Sequence, residues 1–495
     1  MTAGNETQLD SGMLSDSEFS QTMSLMQERV SKYASLNDQL VGIENRFLAL
    51  RQRKLHRISV LVKALASQGV RGIHTGASIL GKALKGDRSE LHALMESRDP
   101  LIQAAHETEE ARAAARQCQA EELILHLLDD IHAKRAAGWR VILVMAPYFY
   151  PDRLNDGYYQ RVQHIDKLMG EGVLRIYASW IGADAFLRCH VVDQEHYELV
   201  YSHPQDDRLL LSVAKVVDRV YHHSIACANE IVTRCPSVSK IFDMHGAYPE
   251  ELRMYGRHEQ AALDEQQERL ALESDSLIIC VSQSMTDHLK AKYPTYRARF
   301  LLLPIFQQRA LDVDFSACHR PLHNGKPIVV YSGGLQLWQQ IDRMQDAMTT
   351  VDTQCAYRVY TPDPDGFLER WGTRSRPADL EVSSKTAAEL ALAYPSCHYG
   401  FLLREDTVVN HVACPTKLVE YLANGIIPIL YSPKIGDMQA LEMAYIPLED
   451  FLVGKLPDET ERCKMAAHNA AILRKLLDIY HDGTQRLMES LSIPS

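Results

Sequence analysis

Residues 399–430 constrain the fold of this chain more than any other stretch: YGFLLREDTVVNHVACPTKLVEYLANGIIPIL. An apolar run ends at Arg404. A polar loop follows, then Pro415, then a helical segment carrying Lys417 and Glu420. Asn424-Gly425 stops that helix, and a second apolar run begins. Strand, loop, helix and strand in that order make the repeating unit of a parallel α/β sheet. In such sheets a basic loop between a strand end and a helix start is where phosphate is held. A carboxylate one turn into that helix, as Glu420 is, can reach the two hydroxyls of a ribose.

A chain of 495 residues is too long for one core and implies two or three domains. A net charge of -11 argues against general nucleic-acid binding, which depends on phosphate neutralisation, but leaves room for a local basic site. The ten cysteines form no CxxC pair and no metal-ligand spacing, as expected of reduced cytosolic thiols. The polar N-terminus lacks the apolar region of a signal peptide. No apolar run approaches the roughly 20 residues that span a bilayer. These features predict a cytoplasmic protein, at most peripheral at the inner face of a membrane.

Residues 1–20 read as disordered, and 21–138 as a helical and coiled-coil region. Met26, Tyr33, Leu36, Leu40, Ile43, Phe47 and Leu50 form a heptad that predicts a homo-oligomer through 26–50. Residues 51–90 are basic and read either as a helical hairpin or as a surface for anionic lipid. Residues 105–138 predict one long helix ending at Gly138.

The globular part opens with a strand at Arg140–Ala146, a loop and a helix from Tyr158. Further strands are expected at Leu174–Ser179, Lys240–Met244 and Ser276–Ser282, with helices at 209–230 and 257–273. A second module starts at Ile328–Gly334 and continues through Tyr357–Thr361, Leu380–Ser383, Tyr399–Leu403 and Ile427–Tyr431. The predicted domains are 139–315, 316–460 and a C-terminal helix in 461–495.

Four segments carry candidate chemistry. Gly333 and Gly334, just after a strand, let backbone amides approach an anion, although a plain tight turn needs the same pair. Lys417 supplies a point charge and Arg404 a bidentate fork for a diphosphate. The bland alternative for Lys417 and Glu420 is an exposed helical ion pair. In IFDMHGAYPEE, Asp243, His245 and Glu250 sit at a strand end and helix start, where a histidine can bond a sugar hydroxyl; a structural histidine beside a capping aspartate is the alternative. In DGYYQR, Gly157 permits close backbone approach, and Arg161 is either an acceptor-site cation or a helix-surface charge. Asp363-Pro364-Asp365 reads as a turn, and no Walker loop or Gly-x-Ser-x-Gly elbow is present.

The stretch Pro415-Thr416-Lys417-x-x-Glu420-Tyr421 through Gly425 and Pro428, together with these segments, resembles the retaining family-4 glycosyltransferases of GT-B fold. The resemblance covers about residues 140–490 and excludes the first 138. It implies two Rossmann-like domains facing across a cleft, the first for the acceptor and the second for a nucleotide-sugar donor. It implies that the C-terminal helix crosses back to the acceptor domain. Glu420 matches the second glutamate of the family's paired motif and would hold the ribose. The first glutamate falls at Val412, where this chain departs from the pattern; Asn410, His411 or nearby backbone would have to substitute. Val382 and Ser383 would lie near the base, and Thr416 and Asn410 in the donor site. Asp243 and His245 would belong to the acceptor side, with Arg161 and Glu250.

The expected activity is therefore metal-independent transfer of a hexose-type sugar from a nucleotide diphosphate donor to a glycan or lipid-linked acceptor, in surface-polysaccharide assembly. No cofactor is expected beyond the sugar-nucleotide substrate. Two other readings stand beside it: an epimerase of the same fold, and a non-catalytic coiled-coil scaffold.

Overall fold

The computed structural model describes residues 98–154, 156–181, 187–306 and 319–492. The expected disordered start, the heptad at 26–50 and the basic segment at 51–90 lie outside the described residues. In chain order the elements are helix α1 (Arg98–Ala136), β1 (Arg140–Met145), α2 (Gly157–Met169), β2 (Val173–Ile181), β3 (Arg188–Val191), β4 (His196–Ser202), α3 (Asp207–Ala214) and β5 (Arg219–His222). Then come α4 (Glu230–Arg234), β6 (Ser239–Met244), α5 (Tyr248–Met254), α6 (His258–Glu273), β7 (Leu277–Cys280), α7 (Gln283–Lys292) and β8 (Arg299–Leu302). A second run follows: β9 (Ile328–Ser332), α8 (Ile341–Thr350), β10 (Ala356–Tyr360), α9 (Pro364–Glu369), β11 (Leu380–Ser383), α10 (Ala387–Ala393) and β12 (Tyr399–Leu402). It closes with α11 (Val408–His411), α12 (Thr416–Ala423), β13 (Ile427–Leu430), β14 (Ile446–Pro447), α13 (Leu448–Leu452) and α14 (Glu459–Ser492).

The described chain forms two compact units. One contains α1, β3, most of β4 and α3. Within it α1 buries Ile124, Leu127, Leu128 and Ile131, the three- and four-residue spacing of one helical stripe. That helix ends at Gly138, whose positive φ ordinary residues avoid.

The other unit holds two parallel sheets. The first runs β2-β1-β5-β6-β7-β8. The second runs β11-β10-β9-β12-β13-β14. Both are covered on two faces, which is why strands such as Val141–Met145 are apolar at every position instead of alternating. The helix expected at 209–230 is corrected: α3 stops at Ala214, and strand β5 follows. Its sequence, RVYH, hides the strand because a buried sheet is not expected to hold Arg219 and His222. His222 is nonetheless fully buried, stacked on Phe242 with ring centroids 4.3 Å apart.

Helix α14 is a 34-residue amphipathic element. Its apolar stripe, Ile472, Leu473, Leu476, Tyr480 and Leu487, enters one core with Val162 and Ile165 of α2 and with Leu418 and Leu422 of α12. Tyr480 reaches His164 of α2 at 2.9 Å, and Arg140 of β1 donates to the Leu491 carbonyl at 2.6 Å. One helix therefore packs against elements of both sheets. A second tie is Asp437, which follows β13 and caps α7: its carboxylate accepts from the Gln283 and Ser284 amides, each at 2.8 Å.

Gly483 of α14 lies so close to β8 that an added Cβ would sit 2.3 Å from the Leu302 carbonyl oxygen. A backbone carbonyl cannot turn aside as a side chain can. Gly483→Ala is expected to cost about 1–3 kcal/mol, read as a lowered urea midpoint. An unchanged midpoint would mean that α14 does not seat on β8.

Candidate active site

The C-terminal ends of the strands and the loops after them enclose a cavity of about 490 Å³. From the first sheet it takes Gly157, Tyr158 and Arg161 of α2, Ser224 and Cys227 after β5, and His245, Gly246, Tyr248 and Glu251 after β6. From the second it takes Trp338, Arg404, Val409, Cys414, Pro415 and Thr416. Ligands meet open parallel sheets at this edge because the loops there diverge.

Beneath the first wall lies Asp243, the last residue but one of β6 and wholly buried. Arg161 grips it with two hydrogen bonds, Nε to Oδ2 at 3.0 Å and Nη2 to Oδ1 at 3.1 Å. Tyr221 of β5 donates to Oδ2 at 3.0 Å. His245 Nε2 stands 3.3 Å from the same oxygen. Burial pushes the carboxyl up, but Arg161 and His245 outweigh it and hold Asp243 well below the usual carboxylate range. Two expectations are corrected here. Arg161 is not a helix-surface charge: it is the buried counter-ion of Asp243, and it also lines the cavity. Asp243 has no exposed surface and does not line the cavity, whereas His245 does.

His223, Asp243 and His245 have the donor types of a metal site, with ligand atoms within 4.8 Å of one another. The arrangement fits a cation poorly. Both Asp243 oxygens already accept hydrogen bonds, and the Arg161 guanidinium supplies the positive charge that an ion would bring.

The opposite wall solves its electrostatics differently. Arg404, which lines the cavity, follows β12; Lys417, in the first turn of α12, stands outside the cavity lining, as do Glu420, Gly333 and Gly334. Neither has a carboxylate within ion-pair distance among the described residues. Arg404 Nη1 donates to the Asn410 side-chain oxygen Oδ1 at 3.4 Å. Lys417 Nζ reaches Gln339 Oε1 at 3.4 Å and lies 4.6 Å from the centre of the Tyr331 ring. Burial, and then the charge of Arg404, depress the Lys417 ammonium to about 7, against a smaller opposing pull from Glu420. Burial likewise lowers Arg404 to about 10, although Tyr331 and Glu251 pull it up. Two close cations held below their ordinary values form a site that gains by taking up an anion. Pro415 opens α12 without a side-chain cap, leaving the first amides of that helix toward the same region.

The surroundings hold this pair in place. Gly333 has φ +145, a backbone conformation that residues with a side chain rarely adopt, and an added Cβ would lie 2.1 Å from Lys417 Nζ and displace it. Gly334 accepts a bond from Tyr331 through its carbonyl. Glu420 is not one half of an exposed ion pair: its carboxylate accepts from the Tyr394 hydroxyl at 2.8 Å, and Tyr394 meets Ser332 at 2.7 Å.

Other expected residues lie elsewhere. Asn410 is fully buried; its amide donates to the Glu405 carbonyl and to Thr407, so it braces the loop and Arg404 instead of facing a ligand. His411 turns to Asp406. Val412 packs in a core, and its carbonyl accepts from Ser282. Val382 and Ser383 sit on edge strand β11, outside the cavity lining. Glu250 is bound to Lys292 at 2.8 Å and also faces His288, so it is not the carboxylate at the cavity; its neighbour Glu251 is. Consecutive helical residues point about 100° apart, and sequence alone does not say which of two glutamates faces inward.

No protein-family model and no curated protein matches the chain. Solved structures do. Sucrose-phosphate synthase from Thermosynechococcus elongatus aligns at 12% identity and TM-score 0.48, over 72% of this chain and 99% of that one. The α,α-trehalose 6-phosphate synthase from Burkholderia multivorans aligns at 13% and 0.48, over 72% and 99%. Anabaena HepE, in complex with UDP and glucose, aligns at 13% and 0.49, over 72% and 99%. Likeness at this level assigns neither family nor activity.

The Lys417 environment has a measurable consequence. Its folded value near 7 means that the ammonium is increasingly lost as pH rises from 7 to 9. Inorganic pyrophosphate is therefore expected to bind more weakly at pH 9 than at pH 7, by about tenfold in calorimetric titration. Lys417→Met should bind weakly at both pH values. It should also be more stable than wild type at pH 7, by on the order of 1 kcal/mol, because folding no longer depresses an ammonium below its unfolded value. A wild-type profile that falls no more steeply with pH than that of Lys417→Met would remove Lys417 from the anion site.

Proposed function

We propose that the chain is a GT-B glycosyltransferase of family-4 type. It transfers a hexose-type sugar from a nucleoside diphosphate donor to a glycan or lipid-linked acceptor. The observation that carries the reading is the Arg404–Lys417 pair, two partly buried cations with no ion-pair partner among the described residues, beside the open start of α12. A purely structural protein gains nothing from this pairing, since burial makes it costly. A leaving nucleoside diphosphate compensates both charges at once.

In this reading the diphosphate lies against Arg404, Lys417 and the first amides of α12. Glu420, steadied by Tyr394, takes the ribose hydroxyls. His245, held by Asp243, meets the sugar across the cavity. As the bond from the anomeric carbon to the diphosphate breaks, the acceptor oxygen bonds to that carbon from the same face. The acceptor hydroxyl's proton goes to the departing phosphate oxygen, and configuration is retained. The cations stabilise the charge that grows on the leaving group, so no divalent ion is needed. Surface-polysaccharide assembly, oligomerisation through 26–50, lipid contact through 51–90 and a cytoplasmic location belong to the same proposal. Their support is the sequence alone. No helix among the described residues is long and apolar enough to cross a membrane.

Calorimetric titration of UDP, GDP, dTDP and ADP in the presence of EDTA tests the donor site. One nucleotide is expected to bind in the micromolar range, and Glu420→Ala to weaken it by about tenfold or more through loss of charge-assisted bonds. No binding by any of the four would refute the donor-site assignment and favour a non-catalytic scaffold.

A further inference from the structure

Glu251 is the only carboxylate among the residues that line the cavity. No hydrogen bond or ion pair of its side chain is seen among the described residues, whereas the adjacent Glu250 is engaged by Lys292 and His288. Its space is made by Gly246, where an added Cβ would lie 2.4 Å from Glu251 Oε1. Burial raises its carboxyl above the ordinary value, and Glu250 adds to this; Arg404 and His245 pull it back. A partly buried carboxylate with no protein donor keeps its acceptor positions open to a ligand.

The surroundings define that ligand. An ionised carboxylate only accepts, so its partner must donate. An anionic partner is repelled by Glu251, and a cationic one by Arg404 across the cavity. Ser224, Tyr158 and Tyr248, on the same wall, are neutral. A neutral ring bearing several hydroxyls meets all of these conditions. The carboxylate that the family-4 pattern places at position 412 is absent here, and Val412 is buried away from the cavity.

We propose that Glu251 reads the hydroxyls of the transferred sugar from the acceptor-side wall, a specificity role that selects a neutral, polyhydroxylated ring. This rests on the nucleotide-sugar reading of the cavity. The role is distinct from diphosphate binding, and that separates the two in experiment.

The test is calorimetric titration of UDP, GDP, dTDP and ADP, and of UDP-glucose, GDP-glucose, dTDP-glucose and ADP-glucose, into the full chain, Glu251→Gln and Gly246→Ala. In the wild type the glucose conjugate of the preferred nucleotide is expected to bind tighter than the bare diphosphate. Glu251→Gln should leave the bare diphosphate within about twofold and weaken the conjugate about tenfold, the size of a bond to a charged group. Gly246→Ala should do the same by displacing the carboxylate. The proposal is overturned if the conjugate has no advantage in the wild type, if that advantage survives Glu251→Gln, or if conjugate and bare diphosphate weaken together. If no bare diphosphate binds the wild type, the nucleotide-sugar reading itself fails, and this proposal with it.

Discussion

The buried contact between Asp243 and Arg161 organises the first half of the site. An isolated carboxylate at that depth would cost several kcal/mol, and the guanidinium alone would cost as much. Together, in bidentate geometry and with Tyr221 as a further donor, each satisfies most of the other's needs. The contact joins α2, β5 and β6, three elements far apart in sequence. Removing either partner leaves a buried charge unanswered, so the spacing of α2 over the sheet depends on both. His245 stands beside this arrangement, its Nε2 3.3 Å from Asp243 Oδ2.

The facing wall applies the same physics to the opposite end. Arg404 and Lys417 are also taken out of water, yet nothing in the described chain neutralises them. Burial, the largest cause, holds both below their ordinary values. The site thus has a compensated pair, Asp243 and Arg161, on one side of the cavity, and on the other Arg404 in the lining and Lys417 outside it, neither ion-paired among the described residues. The first keeps a shape. Glu251 stands between these cases, a carboxylate whose burial is only partly offset by Arg404 across the cavity.

Much of the architecture was legible from local patterns. The buried strands read as short apolar runs because both sheet faces are covered, and β1, β9, β12 and β13 fall where such runs occur. Helix α12 is marked by Pro415 at its start and Asn424-Gly425 at its end. The failures have equally physical causes. Strand β5 carries Arg219 and His222 into a buried sheet, and only the stacking of His222 on Phe242 and the bond from Arg219 to Ser239 make that tolerable. Those partners come from β6, about 20 residues on, and no local pattern announces them.

The sequence by itself determined that the chain alternates strands and helices, that a basic strand-to-helix loop opens α12, and that Lys417 and Glu420 share that helix. These are consequences of neighbours along the chain. Tertiary structure decided which charges are spent and which remain. It tied up Arg161, Asp243 and Glu250, turned Asn410 into a brace, buried Val412, and left Arg404, Lys417 and Glu251 without ion-pair partners among the described residues. The reason is that a charge's state depends on what lies within a few ångströms, and across a folded sheet those neighbours are set by packing rather than by sequence spacing.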